Sequence, residues 1–69
     1  LQQELRQAVD QAIADLPEKQ RLAVILRRYE GMPYDEIAKI LGLSVSAIKS
    51  QLFRARHTLR ESLQHYLES

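Results

Sequence analysis

An ammonium, a hydroxyl and an aromatic ring crowd one side of a short stretch, at Lys49, Ser50 and Phe53 within GLSVSAIKSQLFRAR, which runs from Gly42 to Arg56. Apolar residues at Val45, Ile48, Leu52, Ala55, Leu59, Leu63 and Tyr66 are spaced by threes and fours, the stripe of an amphipathic helix whose one side goes to a core. Turning by the helical period brings Ser46, Lys49, Ser50, Phe53, Arg54, His57 and Arg60 onto the remaining arc, with Phe53 almost opposite Ile48 and Leu52. If Phe53 were a core residue, it would need a second hydrophobic partner on that side. Against DNA it covers a thymine methyl while Lys49 donates to guanine acceptors and Ser50 pairs with a base edge or a phosphate.

Other chemistries find less support. His57, Glu61 and His65 recur every four residues and carry metal-ligand donors, but no fourth ligand is suggested, and helical periodicity produces such triples cheaply. Ser44, Ser46 and Ser50 lack an identifiable base and orienting acid, so no nucleophilic triad forms. No glycine-rich phosphate loop occurs either. The reading is therefore non-enzymatic, with no cofactor and no metal.

Net charge is only +1, yet the charges are unevenly placed. Residues 1 to 43 hold six Lys/Arg against seven Asp/Glu, whereas residues 44 to 60 hold four bases and no acid. The positive charge thus belongs to one element, as an electrostatic footprint for phosphates does. The plain alternative is a solvated helix face. The all-basic balance beside Phe53 weighs against it.

At 69 residues the chain makes one small domain, of a size at which a single core is only marginally sufficient. Without cysteine there is no disulfide framework and no thiolate metal site, so a reducing cytoplasm is the default expectation. No apolar run approaches bilayer length, and LQQELRQAVDQ lacks the basic-then-apolar order of a signal peptide. The expectation is a soluble, non-membrane chain. Leu1 in place of Met points to a fragment or a processed chain.

The elements that must position Lys49, Ser50 and Phe53 follow from periodicity and caps. Leu5, Val9, Ala12, Ile13 and Leu16 predict a first helix over about 2–15. Pro17 suits the first position of a second helix, about 17–30, with Leu22, Ile25, Leu26 and Tyr29 on its core stripe and Gly31 as a left-handed cap. Arg27 and Arg28 there complement the helix dipole. A third helix, about 34–41, has Asp35 and Glu36 in its first turn, which is capping chemistry rather than a catalytic pair, and it turns Ile37, Ala38 and Leu41 inward. Gly42 stops it and Ser44 caps the fourth helix, about 45–66. Met32 with Ile37 and Leu43 with Ile48 form hydrophobic staples. The fold class is all-α: a four-helix domain with a homeodomain-like three-helix core, resembling a winged helix without the wing. Helices three and four, joined by a glycine-containing turn, form a helix-turn-helix whose second helix enters a major groove.

These residues resemble region 4 of bacterial sigma factors, particularly the extracytoplasmic-function (ECF) group of the sigma-70 family, over about Ala8 to Tyr66. The resemblance is carried by AIADLPEKQRLAVILRRYEGMPYDEIAKILGLS and SAIKSQLFRAR, with LP, EG, EIA, GLS and K-S-x-L-x-R-A-R in order. It implies promoter recognition at the −35 element, docking on the β flap of RNA polymerase core, and an anti-sigma factor as a further partner. A separate melting domain is also implied, outside these residues. Carried over by position, Lys49, Ser50 and Phe53 contact bases, while Ser44, Ser46, Gln51, Arg54, Arg56 and His57 contact the backbone. Two residues depart from the pattern: Pro33 stands where many relatives have Ser or Thr, and Gln51 where a basic residue is common.

Two other readings compete. The carboxy-terminal helix-turn-helix of a response regulator or quorum regulator shares the length and the EIA-x-x-LG-S run, and that class dimerises on paired half-sites. A helical protein-docking module would use Phe53 beside arginine as a binding anchor.

Overall fold

The computed structural model describes residues 2–67, and every element among them is helical: α1 Gln2–Ala14, α2 Glu18–Arg28, α3 Tyr34–Leu41, α4 Val45–Ser62 and a short α5 Gln64–Leu67. No strand occurs among the described residues. α4 touches each of the other four helices and is the spine on which they are laid.

Two buried clusters share that spine. Ile13, Leu16, Val24 and Ala55 form one, which joins α1, the α1–α2 link, α2 and α4. Ala23, Ile37, Ala38 and Ile48 form the other, which joins α2, α3 and α4. Leu52 packs against both. Ile37 and Ile48 are fully buried, as are the small residues Ala23 and Ala55, whose lack of bulk lets neighbouring helices approach closely.

The turn that aims α4 is built from local chemistry. Gly42 adopts φ 68°, a left-handed conformation that costs a residue with a Cβ, and its N–H donates to the Ala38 carbonyl. Leu43 N–H donates to the same carbonyl at 3.0 Å, closing the Schellman pattern. Ser44 then sits extended, its Oγ accepting from Ala47 N–H at 3.0 Å and its carbonyl from Ile48 N–H at 3.0 Å. Met32 and Leu43, the outer members of the two expected staples, pack on the cluster that contains Ile37 and Ile48.

The structure corrects several sequence expectations. Pro17 stands outside α2 as its extended N-cap, with ψ 150°, rather than as its first helical residue. α2 stops at Arg28. Tyr29 caps it, and Gly31 takes its left-handed φ of 62° only afterwards, where Met32 N–H reaches back to the Leu26 carbonyl at 3.1 Å. The deepest residues of α2 are Ala23 and Val24, not the larger Leu22, Ile25 and Leu26, which are half-buried. The reason is that α2 lies between the two clusters and feeds one from each of two successive residues, about 100° apart around the helix. Tyr29 is 56% exposed because the helix has already ended.

Val45 likewise leaves the expected core stripe. At the first turn of α4 it stays partly open, because Leu43 covers the core at that end. The fourth helix does not run to residue 66. At Leu63 the backbone moves to φ −106°, ψ 11°, and its N–H is shared between the carbonyls of Leu59 and Glu61, so the ladder is interrupted before α5 begins.

Two substitutions test this construction. Ile48→Ala is expected to cost about 2–5 kcal/mol, a large share of a small domain's stability, because a fully buried side chain leaves a cavity. Ser44→Ala is expected to cost about 1 kcal/mol through the lost cap. Urea unfolding followed by far-ultraviolet circular dichroism reads both, and an Ile48→Ala midpoint at the wild-type value would contradict the shared-spine packing.

Candidate nucleic-acid interface

With Ile48 and Ala55 sealed against the other helices, the opposite side of α4 is left bare. Ser46, Lys49, Ser50, Phe53 and Arg54 line one shallow, open recess along it. Phe53 is 73% exposed, the most open large hydrophobic side chain among the described residues. An aromatic that could have been buried is instead held out among a Lys, an Arg and two hydroxyls. One turn further on, Phe53, Arg56, His57 and Arg60 line a second recess on the same helix.

The nine residues expected from the sequence therefore divide. Lys49, Ser50, Phe53, Ser46 and Arg54 come together in the first recess, and Arg56 and His57 in the second. Ser44 and Gln51 line neither. Ser44 has its oxygen engaged in the helix cap, where it accepts from Ala47 N–H. Gln51 is half-buried on the flank of α4. His57 Nε2 lies 3.8 Å from Glu61 Oε1, and both side chains are about 70% exposed. The third member of the triple weighed as metal ligands, His65, has its side chain outside the described set.

Three residues absent from the sequence-derived list stand at the site. Arg60 joins the second recess, as its place on the outer arc of the stripe already allowed. Arg27 and Tyr34 form the wall beside Lys49, where a third shallow recess is lined by Arg27, Pro33, Tyr34, Asp35, Val45 and Lys49. The Arg27 guanidinium lies 4.8 Å from the centre of the Tyr34 ring and donates to the Met32 carbonyl at 3.0 Å. One cation thus ties the end of α2 to the loop and to the start of α3. The helix dipole was a sufficient reason for a basic residue here, but a pairing seven residues apart across a turn leaves no periodic signal.

A separate apolar groove opens between α1, α2 and α4. Val9, Ile13, Val24, Leu52, Leu59 and Leu63 line it, and Arg27, Arg28, Arg56 and Tyr34 stand around it. Arg56, one turn beyond Leu52, lines both this groove and the second recess, so the two surfaces meet along one edge of α4, while Phe53 stays on the outer side.

Residues 6–59 match the family described as Sigma-70, region 4. The chain is 42% identical over 64 residues to the ECF RNA polymerase sigma-E factor of Escherichia coli, and equally to that of Salmonella typhi, which covers 93% of this chain and 34% of the relative. It is 39% identical over 67 residues to the RNA polymerase sigma-H factor of Pseudomonas aeruginosa, covering 97% of this chain and 35% of the relative. The chain thus spans about a third of the length of the curated relatives it matches.

Removing the guanidinium that braces the turn has a measurable consequence. Arg27→Gln is expected to lower stability by about 1–2 kcal/mol, from an exposed cation–π contact and one hydrogen bond. An unchanged urea midpoint would show that the brace carries no weight.

Proposed function

Because the chain belongs to the sigma-70 region 4 family, we propose that it is a promoter-recognition module that reads −35 element DNA with α4 while attached to RNA polymerase. The observation that carries this reading is the outer face of α4, where Phe53 is open and no acid interrupts residues 44 to 60. A major groove about 12 Å wide admits one helix and presents a distinct pattern of donors, acceptors and methyls for each base pair. Lys49 donates to guanine N7 or O6, Ser50 bonds a base edge, and Phe53 packs on a thymine methyl. Ser46, Arg54, Arg56 and His57 hold phosphates on either side, with Ser44 and Gln51 at the margin. Arg27 and Tyr34, beside Lys49, extend the backbone contact to the turn before α3.

The role is non-catalytic: the side chains bind and orient, and nothing in the reading requires a bond to be made or broken. Docking on the polymerase β flap falls to the apolar groove between α1, α2 and α4. An anti-sigma factor is a further partner in this reading, acting by covering one of these two surfaces. A single module has limited contact area, so attachment to polymerase supplies the effective concentration that the DNA contact needs. No helix of the described residues is long and apolar enough to cross a membrane.

Selection of duplexes from a random pool, with the chain joined to its polymerase, is the direct test. On the recovered sequence, Lys49→Ala and Phe53→Ala are each expected to lower discrimination against a scrambled duplex by about 1–3 kcal/mol, whereas Arg54→Ala weakens both duplexes alike. Equal effects from both kinds of change would overturn the assignment of base readers. With about three phosphates neutralised, affinity is expected to fall roughly 40-fold between about 50 and about 200 mM salt. A complex indifferent to salt would contradict the phosphate contacts.

A further inference from the structure

The run without acids on α4 ends at Glu61, and that carboxylate is not simply turned away from the basic face. Its Oε1 lies 3.8 Å from His57 Nε2, with both groups on the solvent side of the helix. His57 itself shares a shallow recess with Phe53, Arg56 and Arg60. Glu61 is thus the acid that reaches the second recess of the surface assigned to DNA, through His57, as Asp35 stands beside Lys49 at the other end.

We infer that Glu61 is a further binding determinant, a carboxylate that competes with a backbone phosphate for His57 and makes the affinity of the module for DNA depend on protonation of that imidazole. The inference rests on the promoter-reading role of the outer face of α4.

The placement supports it. His57 is eight residues beyond Lys49, about 12 Å along the helix axis and about 80° around it, away from the amino end of α4 that reaches the base edges. With Lys49 at the base edges, His57 stands at the lip of the groove, where the sugar-phosphate backbone passes. Glu61 is one turn further, about 6 Å along the axis. The acceptor nearest the imidazole in the free chain is therefore Glu61, and in the complex a phosphate oxygen takes its place. The charged groups facing the imidazole are Arg56, Arg60 and Glu61, all on α4. α1, α2 and α3 pack on the opposite side, against Ile48, Leu52 and Ala55.

The sign follows from the chemistry. A protonated imidazole donates from both nitrogens and carries a positive charge, so the phosphate-bound state favours the protonated form. A complex that favours the protonated ring takes up a proton, so binding strengthens as pH falls. Glu61 opposes this in two ways: it repels the incoming phosphate, and it offers the protonated ring an alternative partner that must be given up.

The test measures affinity for the selected duplex and for its scrambled counterpart, from about pH 8 to about pH 5.5, for the wild type, His57→Gln, Glu61→Gln and the double variant. Both side chains are largely exposed, so each variant is expected to keep its helices, which circular dichroism checks. Wild-type affinity is expected to rise about three- to tenfold as pH falls. His57→Gln should lose that rise and bind both duplexes more weakly, as the loss of a backbone contact does. Glu61→Gln should bind more tightly at every pH and respond to pH at least as steeply. The gain from Glu61→Gln should shrink when His57 is also replaced, which a general loss of negative charge would not produce.

A pH response that survives in His57→Gln would overturn the inference, because His65 or another group would then carry it. So would a gain from Glu61→Gln that is the same with and without His57. Discrimination kept with a flat wild-type profile removes the proton linkage and leaves the promoter reading standing, whereas no preference for the selected duplex at any pH removes both.

Discussion

Everything in this small domain depends on the burial of one side of α4. Ile48 and Ala55 are fully buried, and Leu52 between them packs on both clusters, so α4 cannot roll about its axis without opening either one. Rotation is what a helix in the proposed reading role must not do. A residue on the outer arc shifts by several ångströms at its tip for a modest roll, and hydrogen bonds to base edges tolerate far less. The apolar contacts behind α4 are therefore what gives Lys49, Ser50 and Phe53 a defined direction.

The same constraint explains why this face could be bare. A chain of this length has little apolar surface to spare, and leaving Phe53 open gives up burial worth roughly 1.5–3 kcal/mol. That loss is tolerable only if another surface covers the ring when the protein works. Two small residues, Ala23 and Ala55, offset part of it by letting the helices close tightly with modest side chains. Arg27 adds a polar fastening where the core runs out, reaching from α2 over Tyr34 to the Met32 carbonyl.

Local chemistry made much of this legible before any coordinates. The span of α3, the Gly42 and Ser44 caps and the packing of Met32 and Leu43 follow from interactions within a few residues, which sequence spacing records directly. The outer arc of α4 was legible for the same reason, since periodicity assigns sides. What sequence reading missed was set by distant partners. It favoured the bulky Leu22, Ile25 and Leu26 as the core of α2, whereas the position of that helix between two clusters selected Ala23 and Val24. It carried α4 through Leu63 because the apolar spacing continues there, although the backbone does not. The Arg27–Tyr34 contact is a tertiary event with no period to announce it. The FRAR segment and the LP-containing second helix already favoured a sigma-type over a regulator-type helix-turn-helix, and the family match over residues 6–59 agrees.

The sharing of α4 between two clusters also has a consequence for synthesis. Each cluster takes an indispensable member from α4, Ala55 for one and Ile48 for the other, and α4 follows α1, α2 and α3 in the chain. A nascent chain leaving the ribosome therefore holds three unsealed helices until this late segment has emerged. Partial products with a half-made core are targets for chaperones and proteases. The bare outer face and resistance to degradation arrive together, with the same few residues.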